Sequence, residues 1–437
     1  MVSSYKEASK ILKLIYVVID GMGDLPIAEL GNKTPLEAAD TPNMDFLAAH
    51  GKTGLMYTVR KGIAPESDVA VISILGYDPF KYGTGRGILE AVGAGIEVKD
   101  GDLALRCNFA TSGENGELID RRVGRDLTTK EATELCKAIN ENVKLESHSA
   151  DFEFKNTVGY RGVLVIRSRQ KSLSSKITNT DPGYARIKEL GIAEAKISMF
   201  LKKCEPTDGS EEAKISAELV SEFVEKSHEV LDKHEVNKKR EAEGKLKANI
   251  IITRDAGHKL PKFFNINEHY GVRFVSLTDM PVERGISKLA GMDTVILPPP
   301  SKDIKKDCVI RVKKLIEHLP AYDCFYIHIK GPDEPGHDGN FDAKKHIISM
   351  IDKYFFAKLL QTIKLEDFII CVTADHSTPC KLKAHSDDPV PLLISGNKIK
   401  GDNILKFSER ECKKGSLDIL NSGTELMPKL ISFLKQA

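Results

Sequence analysis

No sign of charge dominates this chain: its 437 residues carry 64 Lys and Arg against 63 Asp and Glu, a formal net charge of +1. That balance lacks the electrostatic footprint of a nucleic-acid or anionic-membrane binder and favours chemistry on a small molecule. Cysteine is scattered: the closest two of the eight, Cys371 and Cys380, form no Cys-x-x-Cys pair. This argues against zinc ribbons and disulfide scaffolds and predicts a reducing, cytoplasmic setting. No apolar run approaches the roughly 20 residues that cross a bilayer. The apolar stretch 11–19 is broken by Lys13 and runs into Asp20-Gly21 without a small-residue cleavage site, unlike a signal peptide. Internal repeats and low-complexity linkers are also missing.

What the chain does have is a pattern used three times. Phe368-Ile369-Ile370-Cys371-Val372 reads as a buried strand that ends in Thr373-Ala374-Asp375-His376, with His385 returning from the following loop. Leu14-Ile15-Tyr16-Val17-Val18-Ile19 ends in Asp20-Gly21-Met22-Gly23-Asp24, where glycines permit a sharp turn. A third run, from Asp323 to Ile329, delivers Lys330-Gly331-Pro332-Asp333-Glu334-Pro335-Gly336-His337. In an open parallel sheet, ligands bind beyond the carboxyl ends of the strands, so segments hundreds of residues apart can converge. Together they offer Asp20, Asp333, Asp375, His337, His376 and His385, too many donors for one tetrahedral ion and about right for two. Mixed carboxylate and imidazole shells suit zinc or manganese, and paired metals typically perform in-line phosphoryl displacement.

Strands alternating with helical segments predict an α/β fold, with a mostly parallel sheet sandwiched by helices. From about Asp102 the texture changes to short strands separated by polar turns, followed by a charged helix bearing Ile215, Leu219, Phe223 and Leu231 on one face. This predicts an inserted α+β cap over 106–261, with 1–105 and 262–437 forming the core. Thr41, Pro42 and Gly51 punctuate a helix as cap, first turn and stop. Lys238-Lys239-Arg240 reads as a solvated helix end, and Arg254-Asp255-Ala256-Gly257 as the turn after a strand at 249–253.

Ser67 sits where a loop opens into an apolar helix, a place that favours negative charge. A serine hydroxyl is barely ionised near neutral pH and becomes a nucleophile only beside a base or a metal. Arg121, Arg122, Arg125, Arg161 and Arg254 are candidates to grip phosphate or carboxylate oxygens.

Taken in order, Asp20-Gly21-Met22-Gly23-Asp24, Glu66-Ser67-Asp68, Gly76-Tyr77-Asp78-Pro79, Asp120-Arg121-Arg122-Val123-Gly124-Arg125, Asp333-Glu334-Pro335-Gly336-His337-Asp338 and Asp375-His376-Ser377-Thr378-Pro379-Cys380 with His385 form a set. That set resembles the archaeal-type bisphosphoglycerate-independent phosphoglycerate mutases of the alkaline phosphatase superfamily, over nearly the whole chain. The resemblance implies a phosphorylated small-molecule substrate, an alkaline phosphatase-like core, two divalent ions (manganese, magnesium, cobalt or zinc) and no bisphosphoglycerate. It also implies a phosphoserine intermediate at Ser67. One ion would take Asp20, Ser67, Asp375 and His376, the other Asp333, His337 and His385. Lys330 would neutralise phosphate charge, and Arg122, Arg125, Arg161 and Arg254 would contact substrate. Two positions depart from the family pattern: Tyr160-Arg161 stands where His-Arg is usual, and Asp181-Pro182-Gly183 where Asp-Pro-His is common. A metal-dependent phosphatase or a phosphopentomutase would share the core.

Overall fold

Runs of Val, Ile, Tyr and Phe build the central strands, and their burial on both faces explains why they read as unbroken apolar segments rather than alternating ones. The computed structural model describes residues 12–113, 115–187, 190–193 and 200–435. The first strands in chain order are β1 (Lys13–Ile19), β2 (Gly51–Met56), β3 (Leu103–Ser112), β4 (Leu118–Asp120), β5 (Ala150–Asn156), β6 (Arg161–Ser168) and β7 (Tyr184–Ile187). There follow β8 (Leu190–Ala193), β9 (Ile250–Gly257), β10 (Phe274–Thr278), β11 (Asp293–Ile296), β12 (Cys324–Ile329), β13 (Phe368–Thr373), β14 (Val390–Gly396) and β15 (Ile419–Leu420).

Two compact units divide the chain. One comprises Met1–Gly83, Phe263–Met280 and Ile286–Ala437, the other Thr84–Lys262 and Pro281–Gly285. The first holds an eight-stranded sheet in the order β11-β10-β12-β1-β13-β14-β2-β15. β1 runs parallel to both β12 and β13, so their carboxyl ends lie at one edge, whereas β14 is antiparallel to β13 and β2. The mostly parallel α/β class is therefore observed. Gly51, expected as a helix stop, instead opens β2, and the helix Pro42–Ala49 ends at His50. The strand needs glycine there because a Cβ would lie 2.6 Å from the Ile394 carbonyl oxygen across the pairing with β14.

In the second unit β4, β3, β6 and β5 pair in that order with β9 on the other side of β3, all antiparallel. Its first segment is Thr84–Lys262, which opens ahead of residue 106. The reason is packing: Ile88 and Ala91 bury against Ala104, Val163 and Val165 in one apolar cluster, so the helix Arg86–Gly93 belongs to this sheet. Arg254 to Gly257, expected as a turn, continue β9. The charged helix, Glu211–Asp232, buries Leu219, Phe223 and Leu231 as its spacing predicts. Arg240 corrects the reading of a solvated helix end: it is buried, donates to the Leu246 carbonyl, and pairs with Glu131 at 3.0 Å and with Asp126. Among the described residues no helix is long and apolar enough to cross a membrane.

Candidate functional site

Three strand ends of the first unit bring the expected donors into two groups, Asp20 with Asp375 and His376, and Asp333 with His337 and His385. Within each group the donor atoms lie within 4.8 Å of one another. Asp20 follows β1, and its turn is tight: Gly21 has φ +60°, and a Cβ there would lie 2.7 Å from the Asp333 Cβ. Only glycine tolerates both conditions. Asp333 and His337 share one face of the short helix Asp333–Asp338 because they stand four residues apart.

In the first group Asp375 Oδ1 accepts from the Gly21 and His376 amides, each at 3.0 Å. Its Oδ2 is buried without a hydrogen-bond partner among the described residues, as is Asp20 Oδ1. His376 Nε2 lies 3.4 Å from that Asp375 Oδ2 and 3.6 Å from Asp20 Oδ1. Buried anionic oxygens without donors are costly unless a cation answers them. Lys330 Nζ stands 3.3 Å from Asp20 Oδ2, the outer side of the same carboxylate. Burial raises the pKa of Asp20, but the charges of Lys330, His328 and His376 outweigh it and hold the group well below the usual carboxylate range.

The second group fits an ion through its tautomers. His337 Nδ1 faces the Lys383 carbonyl at 3.1 Å and His385 Nδ1 the Pro65 carbonyl at 2.8 Å. A carbonyl only accepts, so in both neutral rings the hydrogen sits on Nδ1. The bare Nε2 atoms then face each other at 3.2 Å, each 3.5 Å from Asp333 Oδ1. Two lone pairs and a carboxylate aimed at one point are a ligand set, with the ring orientation held by the outer hydrogen bonds. Without an ion the Asp333 carboxylate favours protonated His385, a proton that metal binding would release. Burial would lower the pKa of His385, yet its hydrogen bond to Asp333 and the charge of Glu66 raise it to about 9. Burial and the charge of Asp20 would raise Asp333, but its hydrogen bond to His385 and the charge of His376 bring it to about 2.

Ser67 opens the helix Ser67–Ile74, and its Oγ lies 3.2 Å from His376 Nε2. The His376 and His385 rings stack with centroids 3.7 Å apart, so the serine and both donor groups form one constellation.

The family model of 2,3-bisphosphoglycerate-independent phosphoglycerate mutase matches residues 48–237. A protein of that name from Aeropyrum pernix is 44% identical over 431 residues, covering 97% of this chain and 100% of its own length. The chain belongs to this family. Another member, from Thermococcus kodakarensis, is 39% identical across 97% of this chain and 98% of its own. Among solved structures, a Pyrococcus horikoshii protein superposes with a TM-score of 0.77 at 30% identity, covering 98% of each chain. A cofactor-independent phosphoglycerate mutase of Thermoplasma acidophilum gives 0.62 at 29% identity, over 97% of this chain and 100% of that one.

In this phosphoglycerate mutase family member the expected arginines all fall in the second unit, and they are not equivalent. Arg254 is buried in β9, donates to Asp181 Oδ2 at 2.8 Å and lies over the Tyr184 ring at 4.6 Å. Arg121 forms a two-point contact with the same Asp181, at 2.7 and 2.9 Å. Arg161 packs over Tyr160 at the start of β6. Arg122 precedes the turn Val123–Arg125, and Arg125, which ends it, is exposed with φ 58°. Sequence reading missed Arg86 and Arg106, whose Nε atoms meet the buried Glu90 at 2.9 and 3.0 Å. The charges of Arg106 and Arg86 overcome the effect of burial and lower the Glu90 pKa. It also missed Thr378, Lys344 and His328, which support the donors of the first unit. Thr378 lies inside the quoted Asp375 to Cys380 motif, and His328 is one strand residue from Ile329; neither has a ligand-like spacing of its own.

Proposed function

We propose that this chain interconverts 3-phosphoglycerate and 2-phosphoglycerate through a phosphoserine at Ser67, without bisphosphoglycerate. The observation that carries this reading is the Ser67 hydroxyl at a helix N-terminus, 3.2 Å from His376 Nε2 and beside two groups of metal donors. One divalent ion would be held by Asp20, Ser67, Asp375 and His376, and a second by Asp333, His337 and His385; manganese, magnesium, cobalt and zinc all suit such shells. When bound, such ions make the serine hydroxyl more acidic and offset charge on the phosphoryl oxygens.

Ser67 Oγ attacks phosphorus in line, the bond from phosphorus to the substrate's C3 oxygen breaks, and the proton given up by the serine ends on that oxygen. Glycerate then turns within the site. Its C2 hydroxyl attacks the phosphoserine, loses its proton, and the Ser67 hydroxyl is restored. The helix N-terminus at Ser67 stabilises negative charge in both halves. Lys330, beside Asp20, carries positive charge toward the transferring group. The second unit supplies the substrate-binding arginines Arg122, Arg125, Arg161 and Arg254, whose guanidinium groups suit a two-point grip on a carboxylate. Arg254 is supported in that role by its fixed position between Asp181 and Tyr184.

The test is phosphorus NMR on the purified chain given 3-phosphoglycerate and manganese with no bisphosphoglycerate. The reading expects 2-phosphoglycerate without inorganic phosphate, and a Ser67→Ala chain with turnover reduced on the order of 10⁴-fold or more. Inorganic phosphate alone would make the chain a phosphatase.

A further inference from the structure

Thr378 has no exposed surface, and every polar atom it owns is engaged. Its amide donates to the Gly23 carbonyl at 3.0 Å. Its carbonyl accepts from Lys344 Nζ at 2.9 Å. Its hydroxyl lies 2.7 Å from Asp333 Oδ1 and 3.0 Å from His376 Nδ1. Gly336 keeps room for it, since a Cβ there would lie 2.5 Å from the Thr378 carbonyl oxygen. The residue is therefore clamped between the turn after β1, the helix bearing Asp333 and the helix Phe341–Ile351 that carries Lys344.

The hydroxyl has one hydrogen to give. A ligating carboxylate only accepts, so that hydrogen goes to Asp333, and the oxygen can only accept from His376. The His376 hydrogen is then on Nδ1, which leaves Nε2 bare toward Ser67, Asp20 and Asp375. Asp333 belongs to one donor group and His376 to the other. We propose that Thr378 is a positioning residue coupling the two metal groups, its hydroxyl setting the Nε2-ligating form of His376 in one and the orientation of Asp333 in the other. The inference rests on the reading of these two groups as metal sites.

Removing an outer hydrogen-bond partner of a metal ligand typically weakens binding by about 10–100-fold. Here one side chain serves both groups, so both ions are affected together. The experiment is calorimetric titration of manganese(II) into metal-free protein, in the wild type and in Thr378→Ser, Thr378→Val and Thr378→Ala, with thermal unfolding of each metal-free variant as a check on folding. The wild type takes up two ions, Thr378→Ser retains both affinities within about threefold, and Thr378→Val and Thr378→Ala lose about 10–100-fold at both. Long-range proton–nitrogen spectra of the histidine rings provide a second readout: His376 carries its hydrogen on Nδ1 in the wild type and in Thr378→Ser, and loses that preference in Thr378→Val. Unchanged affinity in Thr378→Val, or a loss confined to one ion, overturns the coupling while leaving the metal sites intact. A wild type that binds no manganese removes the metal reading itself, and this inference with it. If Thr378→Val and Thr378→Ala fail to fold while Thr378→Ser folds, the hydroxyl serves stability and the inference falls.

Discussion

Lys344 Nζ and Asp24 Oδ2 are paired at 2.8 Å, and neither side chain exposes any surface to solvent. The ammonium also donates to the Gly23 and Thr378 carbonyls, each at 2.9 Å, so its three hydrogens are all used. Asp24 in turn accepts from the Cys380 amide at 3.2 Å. The ion pair thus ties the turn after β1 to the turn after β13, the two turns that carry Asp20, Asp375 and His376.

Lys344→Met will destabilise the chain by about 3–5 kcal/mol, because removing one partner leaves a buried carboxylate without its counter-charge. Urea unfolding of the metal-free protein measures this. A loss below about 1 kcal/mol would show that Asp24 finds another partner or takes a proton. Replacing both residues with apolar side chains should recover part of the loss.

Glu409 introduces a pH dependence of stability. It accepts from Thr34 Oγ1 at 2.6 Å and from the Asp24 amide at 3.1 Å. Burial outweighs these bonds and raises its pKa from 4.5 to about 7. The native state therefore holds this proton more tightly than the unfolded chain does. The group's contribution is complete below about pH 4.5 and is lost as pH rises to about 7, a change of about 3 kcal/mol. Denaturant midpoints of the wild type against Glu409→Gln across this window provide the check: the difference should shift in favour of the variant as pH rises, and a flat difference would refute it.

Removal of divalent ions will lower the unfolding temperature, since an ion that binds only the native state at 100 times its Kd contributes about 2.7 kcal/mol. Thermal unfolding with a chelator, then with excess manganese, measures the gain. Asp375→Asn should lose most of it, because the Oδ2 that lacks a hydrogen-bond partner is the atom an ion would satisfy. An equal gain in the variant would place the ion elsewhere.

Gly183 accounts for one departure from the family pattern. A Cβ at this position would lie 2.1 Å from the Arg121 Cζ, so the arginine occupies the space a side chain would need. Gly183→His will push Arg121 off Asp181 and break its two-point contact, at a cost of about 1.5–3 kcal/mol. The Asp181 carboxylate, fully buried, then keeps Arg254 as its guanidinium partner, with the backbone amide of residue 183 on Oδ1. Urea unfolding reports the cost. KM for 3-phosphoglycerate should rise at least about tenfold if Arg254 holds substrate, since Arg254 would be drawn further onto Asp181; an unchanged KM would separate this cluster from substrate binding.

The donors at the ends of β1, β12 and β13 were legible because the signal is local. An apolar run followed by an acid and a glycine reads the same in isolation as in the fold, and Ser67 at a helix start is equally local. The distribution of those donors between two groups was not readable from spacing, and came at first only from the resemblance. Nor could spacing show that one threonine hydroxyl stands between His376 and Asp333. Such facts depend on hydrogen-bond direction across turns that meet only when β1, β12 and β13 align in parallel. Arg240 makes the same point for charge. Beside two lysines it looks solvated, yet its partners Asp126 and Glu131 lie more than 100 residues earlier, and only packing brings them to it. The boundary at Thr84 follows likewise from Ile88 and Ala91 burying against strands that come later in the chain. Local pattern determined which residue types end each strand; the pairing of charges, the tautomers of the histidines and the limits of the units were decided by tertiary contacts, because burial and hydrogen-bond partners exist only between segments that the chain order keeps apart.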